Sequence, residues 1–474
     1  MARRASRRHS VEEKRRTGKG IEASSQAPIH KRIATAEVVW PMVLASLIAG
    51  LYSSSGVSSV ALIFGIFAAI LLSRVRNAKA RAVDWAILAL AGLQIPELFS
   101  SSYRANSMGA PVLMVLSVLV FFAVRHTITR LFQIALLAGA LGLGGVWLGL
   151  EGLNQVAVET GRLREFGFSN LVAFRSRLIV PPTTWILGEW FTLALLALPF
   201  ACALPIYLWQ KGRKSLALAA LLLPSLTTAV LTLSLSRAVF WSTVLFYLSA
   251  WVLMVASRVL SPRAGTAVLA GALVGLALIL AFESAIYPGI IKAYTGNHTS
   301  QARSTEGRVE IWNRSMRLVR AHPLLGVGWS NSALMLLSSA DEEETTGFAS
   351  RTFSLPVQIL VEQGIIGIFL YAVFLILVAR QFIATIRRSP PMRAPEKSNK
   401  HDRPSTDPVE KMADLDANAG ATHKLMVCCF AAGLIAVLSR ELTYSSLTEH
   451  SLTMVLTATL AALVCQSAER QSYL

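Results

Sequence analysis

Residues 185–209 read WILGEWFTLALLALPFACALPIYLW, an apolar run interrupted by a single charged side chain, Glu189. A bilayer core about 30 Å thick needs roughly 20 apolar residues in an α-helix, so this run predicts a membrane-spanning helix. Similar runs recur along the chain, in which 54% of the 474 residues are hydrophobic and only 15% are charged. The sequence therefore predicts an all-α, polytopic membrane protein.

Windows of this length predict about twelve transmembrane helices, with a large loop that contains short helices between the ninth and the tenth. The predicted spans are 37–51, 57–73, 83–100, 108–124, 131–150, 185–209, 215–235, 238–256, 265–287, 355–383, 424–440 and 450–466.

The distribution of Lys and Arg predicts the orientation, because positively charged loops tend to stay cytoplasmic. Residues 1–35 form a basic tail, and every second loop after it is basic as well. Both termini are therefore predicted to be cytoplasmic. We expect spans 1–9 in residues 36–287, an extracytoplasmic loop at 288–354 and span 10 at 355–383. Residues 384–423 are rich in Pro and charged residues, which predicts a disordered cytoplasmic linker. Spans 11 and 12 and a tail follow in 424–474.

The net charge of +18 is high enough to suggest nucleic-acid binding. The positive charges lie where the orientation rule needs them, however, so we expect membrane lipids as partners and no nucleic acid. The four cysteines fall within predicted spans, and no metal-ligand spacing is present. We expect no cofactor and no metal.

The most polar part of the predicted outer loop is the stretch TEGRVEIW (305–312), which runs on to HPLLGVG (322–328). At about 100° per residue, a helix over 306–321 places Arg308 within an apolar arc that faces the protein or the bilayer. A guanidinium there needs an anion, either a ligand or a structural partner. The apolar arc comprises Val309, Trp312, Met316, Leu318 and Val319, and the solvated face comprises Glu306, Glu310, Arg314, Arg317 and Arg320, with Glu310 and Arg314 as an ion pair.

Arg237 lies at the predicted outer junction of two spans, on the side where Lys and Arg are sparse. It is either a snorkelling side chain or a second ligand-binding arginine. Together with Arg308 it suits a diphosphate, because the planar guanidinium binds phosphate oxygens in pairs. The loop at 151–184 contains a further group of basic residues, Arg162, Arg164, Arg175 and Arg177. These arginines either line the path of the acceptor or of the carrier headgroup, or are surface charges without a ligand.

Several of these pieces occur in an order that resembles the O-antigen ligase and O-antigen polymerase superfamily, membrane glycosyltransferases of the GT-C type. The pieces are SLSR (234–237), Gly307-Arg308 followed by Trp312, HPLLGVG (322–328), and the stretch from Leu355 through LVEQGIIG (360–367).

The resemblance implies transfer of a glycan from a polyprenyl diphosphate carrier to an acceptor hydroxyl at the outer face of a bacterial inner membrane. It implies a metal-independent enzyme, with a polyprenyl-diphosphate-linked oligosaccharide and a glycan or lipid acceptor as substrates and other polysaccharide assembly proteins as candidate partners. The candidate catalytic residues are Arg237, Arg308, His298 and His322, and the candidate substrate-binding residues are Trp312, Arg351, Glu362 and the four loop arginines. As a proton acceptor, His322 competes with Glu306, Glu310 and His450, and its position before Pro323 equally suits the end of a helix.

The sequence departs from the ligase pattern at one position. Ligases usually carry a histidine ahead of the glutamate-glycine element, and the corresponding position here falls on or near Phe353, next to Ser354. The stretch 350–354 contains no histidine. This departure favours a polymerase or a divergent relative over a ligase.

Two other functions remain as alternatives. A flippase or transporter of polysaccharide or lipid carrier needs charged residues through the bilayer centre on several helices, whereas ionisable groups here collect at the predicted outer ends. A sensor or scaffold with a receptor-like outer loop would not need the two arginines for any turnover.

Overall fold

The computed structural model describes residues 81–101, 103–107, 109–128, 130–159, 187–234, 236–286, 299–338, 354–388, 408–442 and 451–465. Over these ranges the chain forms helices and no strand. The helices are α1 (Ala82–Ser100), α2 (Arg104–Ser107), α3 (Gly109–Thr127), α4 (Leu131–Glu159), α5 (Leu187–Gln210), α6 (Lys214–Ala220), α7 (Leu222–Leu233), α8 (Arg237–Ala256), α9 (Pro262–Ile286), α10 (Thr299–Ala321), α11 (Ser332–Ser338), α12 (Leu355–Arg388), α13 (Pro408–Glu441) and α14 (Ser451–Val464).

Seven stretches in the described ranges are long and apolar enough to cross a membrane, which confirms a multi-pass membrane protein. Helices α3 and α4 contain two further apolar stretches, Met114–His126 and Leu131–Trp147. Ten of the twelve predicted spans coincide with helices, while those at 37–51 and 57–73 lie outside the described residues, so the count of twelve stays a prediction. The seven long stretches are Ala82–Ser100, Phe191–Gln210, Lys214–Leu233, Arg237–Ala256, Pro262–Ala285, Leu355–Arg387 and Ala419–Glu441.

Helices α12 and α13 are longer than the sequence pattern predicts. Helix α12 continues to Arg388 and α13 begins at Pro408, so both ends of the predicted linker at 384–423 are helical. Ala421, Thr422 and His423 are buried. The sequence pattern missed this extension because the segment lacks an apolar period, and packing against the bundle stabilises the last turns before the apolar part of α13.

Helix α13 lies at the centre of the bundle and α9 at its edge. In an apolar window of 18 residues within Ala419–Glu441, 83% of the residues are buried inside the protein, against 11% in the corresponding window of Pro262–Ala285. Helix α13 packs against α5 and α8, and the rings of Phe200 and Phe430 meet at 5.4 Å between centroids.

Helices α4 and α5 approach each other closely and pack along a row of small residues. A Cβ atom added to Gly145 would overlap the Cβ atom of Ala197, and one added to Gly142 would lie 3.0 Å from the Ala201 Cα atom. Small residues at such contacts let two helix backbones approach within van der Waals range, which is how membrane helices gain packing energy.

We expect Gly145→Ala to destabilise the protein, because the added methyl group forces α4 and α5 apart at a cost of about 1–3 kcal/mol. Gly144→Ala is the matched control, since a Cβ atom there meets nothing within 4 Å. The measurement is the apparent melting temperature in detergent at one scan rate. Equal melting temperatures for the two variants would contradict the close packing of these helices.

Candidate functional site

Helix α12 is interrupted at Gly364, whose φ of 66° and ψ of −164° lie outside the helical region. Amides that follow such a break need new acceptors, because backbone polar groups at membrane depth must be satisfied within the protein. Residues 322–328, called the docked segment below, insert into the break. The bonds run from Ile365 N to Pro323 O (2.9 Å), from Ile366 N to Leu324 O (3.3 Å), from Val327 N to Val361 O (2.9 Å) and from Gly328 N to Glu362 O (2.9 Å).

Two glycines make this insertion sterically feasible. A Cβ atom on Gly326 would overlap the backbone carbonyl of Glu362, and one on Gly364 would overlap the carbonyl of Leu324. Both glycines also have positive φ angles, 67° and 66°, a region that costs other residues free energy. Two motifs that are distant in the sequence, HPLLGVG and LVEQGIIG, therefore form one structural unit.

Glu362 lies inside this unit and is only 1% exposed. Its Oε1 atom accepts a hydrogen bond from Ser332 Oγ (2.6 Å) and one from Gln358 Nε2 (3.3 Å). Sequence reasoning proposed Glu362 as a substrate-binding residue. In the structure it is buried and bonded to α11 and α12, and its role in substrate binding stays a prediction.

A second carboxyl group, that of Glu97 at the end of α1, lies within electrostatic range of Glu362. Glu97 is also 1% exposed, and its charge interacts with that of Glu362. Neither of its oxygens has a hydrogen-bond partner among the described residues. Burying two interacting carboxylates is costly in a membrane protein, and no spacing rule in the sequence pairs residues this far apart.

A buried polar cluster ties the docked segment to the connection between α1 and α3. Asn331 Nδ2 lies 2.6 Å from Ser101 Oγ and 2.9 Å from the carbonyl oxygen of Val327. Ser107 Oγ donates to the carbonyl oxygen of Trp329 (2.8 Å). The sequence analysis did not predict these contacts. The polar residues Ser330, Asn331 and Ser332, which closely follow the HPLLGVG motif, are the feature of the sequence that could have indicated them.

Arg308 lies on the inner side of α10. It is half-buried, and this burial lowers the pKa of its guanidinium from the ordinary value. It shares the protein-facing side with Ile311 and Ser315, which are both buried. Its half-buried position agrees with the prediction that Arg308 differs from Arg317 and Arg320, which are exposed.

Two other arginines of α10, Arg317 and Arg320, are exposed, as expected of a solvated face. Arg314 forms the predicted ion pair with Glu310, but its side chain is only 11% exposed, so the prediction that it lies on the solvated face is wrong. The predicted phase differs in a second detail. The side that packs against the protein is centred on Ile311 and Ser315, whereas Val309 and Trp312 are exposed.

Arg237 is the first residue of α8 and is half-buried. Two serines shape the turn before it: Ser236 Oγ accepts from the backbone N–H of Val239 (3.5 Å), and Ser234 Oγ accepts from that of Ser236 (3.2 Å). Serine is a favourable N-cap residue because its hydroxyl satisfies a free amide of the first turn. The SLSR stretch thus sets where α8 begins and where Arg237 emerges.

Close to this turn lies a carboxyl group that sequence reasoning did not select. Glu283 of α9 is buried, and its Oε1 atom accepts from Thr232 Oγ1 (2.8 Å), five residues before Arg237. Its Oε2 atom has no hydrogen-bond partner in the described ranges. A charged residue near the end of an apolar helix was the only signal available for it.

Helix directions bring these groups to one end of the bundle. Helix α8 runs from Arg237 to Ala256, and Ser257, the next residue, contacts Cys428 in the first half of the α13 span. The start of α8, with Arg237, therefore lies at the opposite end of the bundle, where α13 ends at Glu441. Leu355 and Leu442 line one apolar cavity of about 540 Å³, so α12 begins at this end too. We call it the site end; Arg237, Thr232, Glu283, Glu97, Glu362 and the docked segment all lie there.

The other predicted site residues divide into two groups. His322 is exposed and directly follows α10, and its N–H still donates to Leu318 O (2.9 Å), as expected of a residue that ends a helix. Arg162, Arg164, Arg175, Arg177, His298 and Arg351 lie outside the described residues.

Comparison with known protein families agrees with this geometry. Residues 220–372 match the family described as O-antigen ligase. Over this region the chain is similar to O-antigen ligases, as the order of its motifs predicts. The matched region covers about a third of the chain and holds Arg237, Glu283, Arg308, the docked segment and Glu362, but not Glu97. No curated protein matches the chain.

We expect Gly326→Ala to weaken the docked segment, because a non-glycine residue at this φ costs about 1–3 kcal/mol before any clash with Glu362 is counted. The measurement is the rate of tryptic cleavage after Arg317 and Arg320, which should rise as α10 loses its anchor. Gly275→Ala, where a Cβ atom meets nothing within 4 Å, is the control. Unchanged cleavage in Gly326→Ala would show that α10 is held by other contacts.

Proposed function

We propose that this O-antigen ligase-like protein transfers a glycan from a polyprenyl diphosphate carrier to an acceptor hydroxyl at the extracytoplasmic face of a bacterial inner membrane. The observation that supports this most is the placement of two half-buried arginines, Arg237 and Arg308, within the family-matched region. Each stands on a helix that is positioned by the surrounding packing. A diphosphate is a dianionic or more highly charged group, for which two guanidinium groups are suitable partners.

The proposed reaction is a substitution at the anomeric carbon of the donor sugar. The acceptor oxygen forms a bond to this carbon as the bond to the diphosphate oxygen breaks, and the polyprenyl diphosphate leaves with the electron pair. The acceptor proton passes to a base. Arg237 and Arg308 would stabilise the negative charge that grows on the leaving group, which needs no metal ion.

Candidates for the base come from two sources. His298, His322, Glu306, Glu310 and His450 come from the sequence. Glu283 comes from the structure, because it lies near Arg237 with one carboxylate oxygen that no described residue engages. The acceptor and donor headgroup would be further contacted by Trp312, Arg351 and the arginines of the loop at 151–184.

We expect Arg237→Ala and Arg308→Ala each to lower transfer by about 30- to 1000-fold, since one donor to a developing oxyanion contributes about 2–4 kcal/mol. The measurement is glycan transfer from a polyprenyl-diphosphate donor by the purified protein, with insertion of each variant verified. Arg317→Ala and Arg320→Ala are matched controls on the exposed face of α10. Normal transfer by both test variants, or loss of transfer in the presence of EDTA, would contradict this mechanism.

The size of the envelope polysaccharide in a gene-deletion strain identifies the product. We propose a polymerase or a divergent relative, because the ligase histidine is missing near Phe353. The expected result is loss of long chains with single repeats retained. Long chains that accumulate on the lipid carrier would identify a ligase instead, and unaltered polysaccharide would contradict both activities.

A further inference from the structure

Helix α10 carries an exposed apolar strip next to Arg308. The strip consists of Val309, Trp312, Met316 and Val319, which fall within one arc of the helix at 100° per residue. Val309 is 50% exposed and Trp312 is 38% exposed, while Met316 and Val319 are half-buried. Arg308 borders the strip on one side. We call these four residues the α10 strip.

The α10 strip is distinct from the side of α10 that packs on the protein. That side is formed by Ile311 and Leu318, which cluster with Leu336 of α11. Asn313 and Arg317 form the third side, and both are exposed and polar. Helix α10 therefore has one side that packs on the protein, one exposed polar side and one partly exposed apolar side.

The end of α10 leads directly to the surface that faces lipid. Leu324, in the docked segment, is 63% exposed, and its carbonyl oxygen accepts from the amide of Ile366. Ile365, Ile366 and Phe369 are exposed apolar residues of the membrane-spanning helix α12. An exposed apolar side chain on such a helix contacts acyl chains. The last turn of α10 is thus anchored at the level where α12 meets lipid.

We propose that the α10 strip lies on the outer leaflet of the bilayer, so that α10 is an interfacial helix. A helix with an apolar strip, a tryptophan within it and arginines at its borders matches the chemistry of the zone between acyl chains and headgroups. Arg308 and Arg320 flank the strip and would lie near lipid phosphates. A partner protein or a second copy would not require basic residues on both borders.

This placement gives Arg308 a defined depth. A lipid-linked diphosphate has its phosphates at the headgroup level, attached to a chain in the acyl region. An interfacial α10 presents Arg308 at the level of those phosphates and the α10 strip at the level of the first part of the chain. This consequence rests on the proposed function, whereas the contact of the strip with lipid does not.

The test is a depth measurement on the full chain in nanodiscs that contain anionic lipid. Single spin labels are attached to Val309→Cys and Trp312→Cys, with Asn313→Cys and Arg317→Cys as controls on the same helix, after replacement of the four native cysteines by alanine. We expect the labels at 309 and 312 to show at least about a twofold higher ratio of oxygen to nickel-chelate accessibility than the controls. In the unmodified protein, brominated lipid should quench more fluorescence than it does in Trp312→Phe.

Two results would overturn the inference. Equal nickel accessibility at all four positions would mean that the strip faces water, and low accessibility to both reagents at 309 and 312 would mean that protein covers it. The measurement needs no donor substrate. If the labels at 309 and 312 contact lipid while Arg308→Ala retains full transfer activity, the proposed function is contradicted and the interfacial placement of α10 still holds.

Discussion

The hydrogen bonds between the docked segment and the break in α12 hold the site together. A helix interrupted at membrane depth leaves amides and carbonyls that water cannot satisfy, and residues 322–328 satisfy them with four backbone bonds. Gly326 and Gly364 permit the approach, because Gly326 lies against the backbone carbonyl of Glu362 and Gly364 lies against that of Leu324. The same insertion sets the end of α10, and hence the placement of Arg308.

Buried ionisable groups lie near this unit and also elsewhere in the bundle, where Asp84 and Arg125 form a buried ion pair. Glu97 and Glu362 interact from α1 and α12, Glu283 is bonded to Thr232, and Arg308 is half-buried on α10. Each such group costs free energy to remove from water unless it is paired. Glu97, Glu283 and Glu362 lie at the end that also holds Arg237, which suits a site that handles charged ligands or protons.

Sequence reasoning found several parts of this site and missed how they fit together. The helical phase of 306–321 separated Arg308 from Arg317 and Arg320, because a period of 3.6 residues is a local property. Glu362 was selected as a substrate contact, yet its bonds to Ser332 and Gln358 place it inside the protein. Asn331, Ser101 and Glu283 were not selected, since their partners lie far away in the sequence.

Hydropathy alone determined that this chain is a helical membrane protein, because the length of an apolar run must match the bilayer. The order of short motifs was enough to indicate the superfamily, which the match over residues 220–372 then confirmed. Only the tertiary structure decided which helix ends meet, that HPLLGVG inserts beside Gly364, and that Glu97 lies within electrostatic range of Glu362. These contacts depend on the directions and packing of whole helices, and no local pattern of residues encodes them.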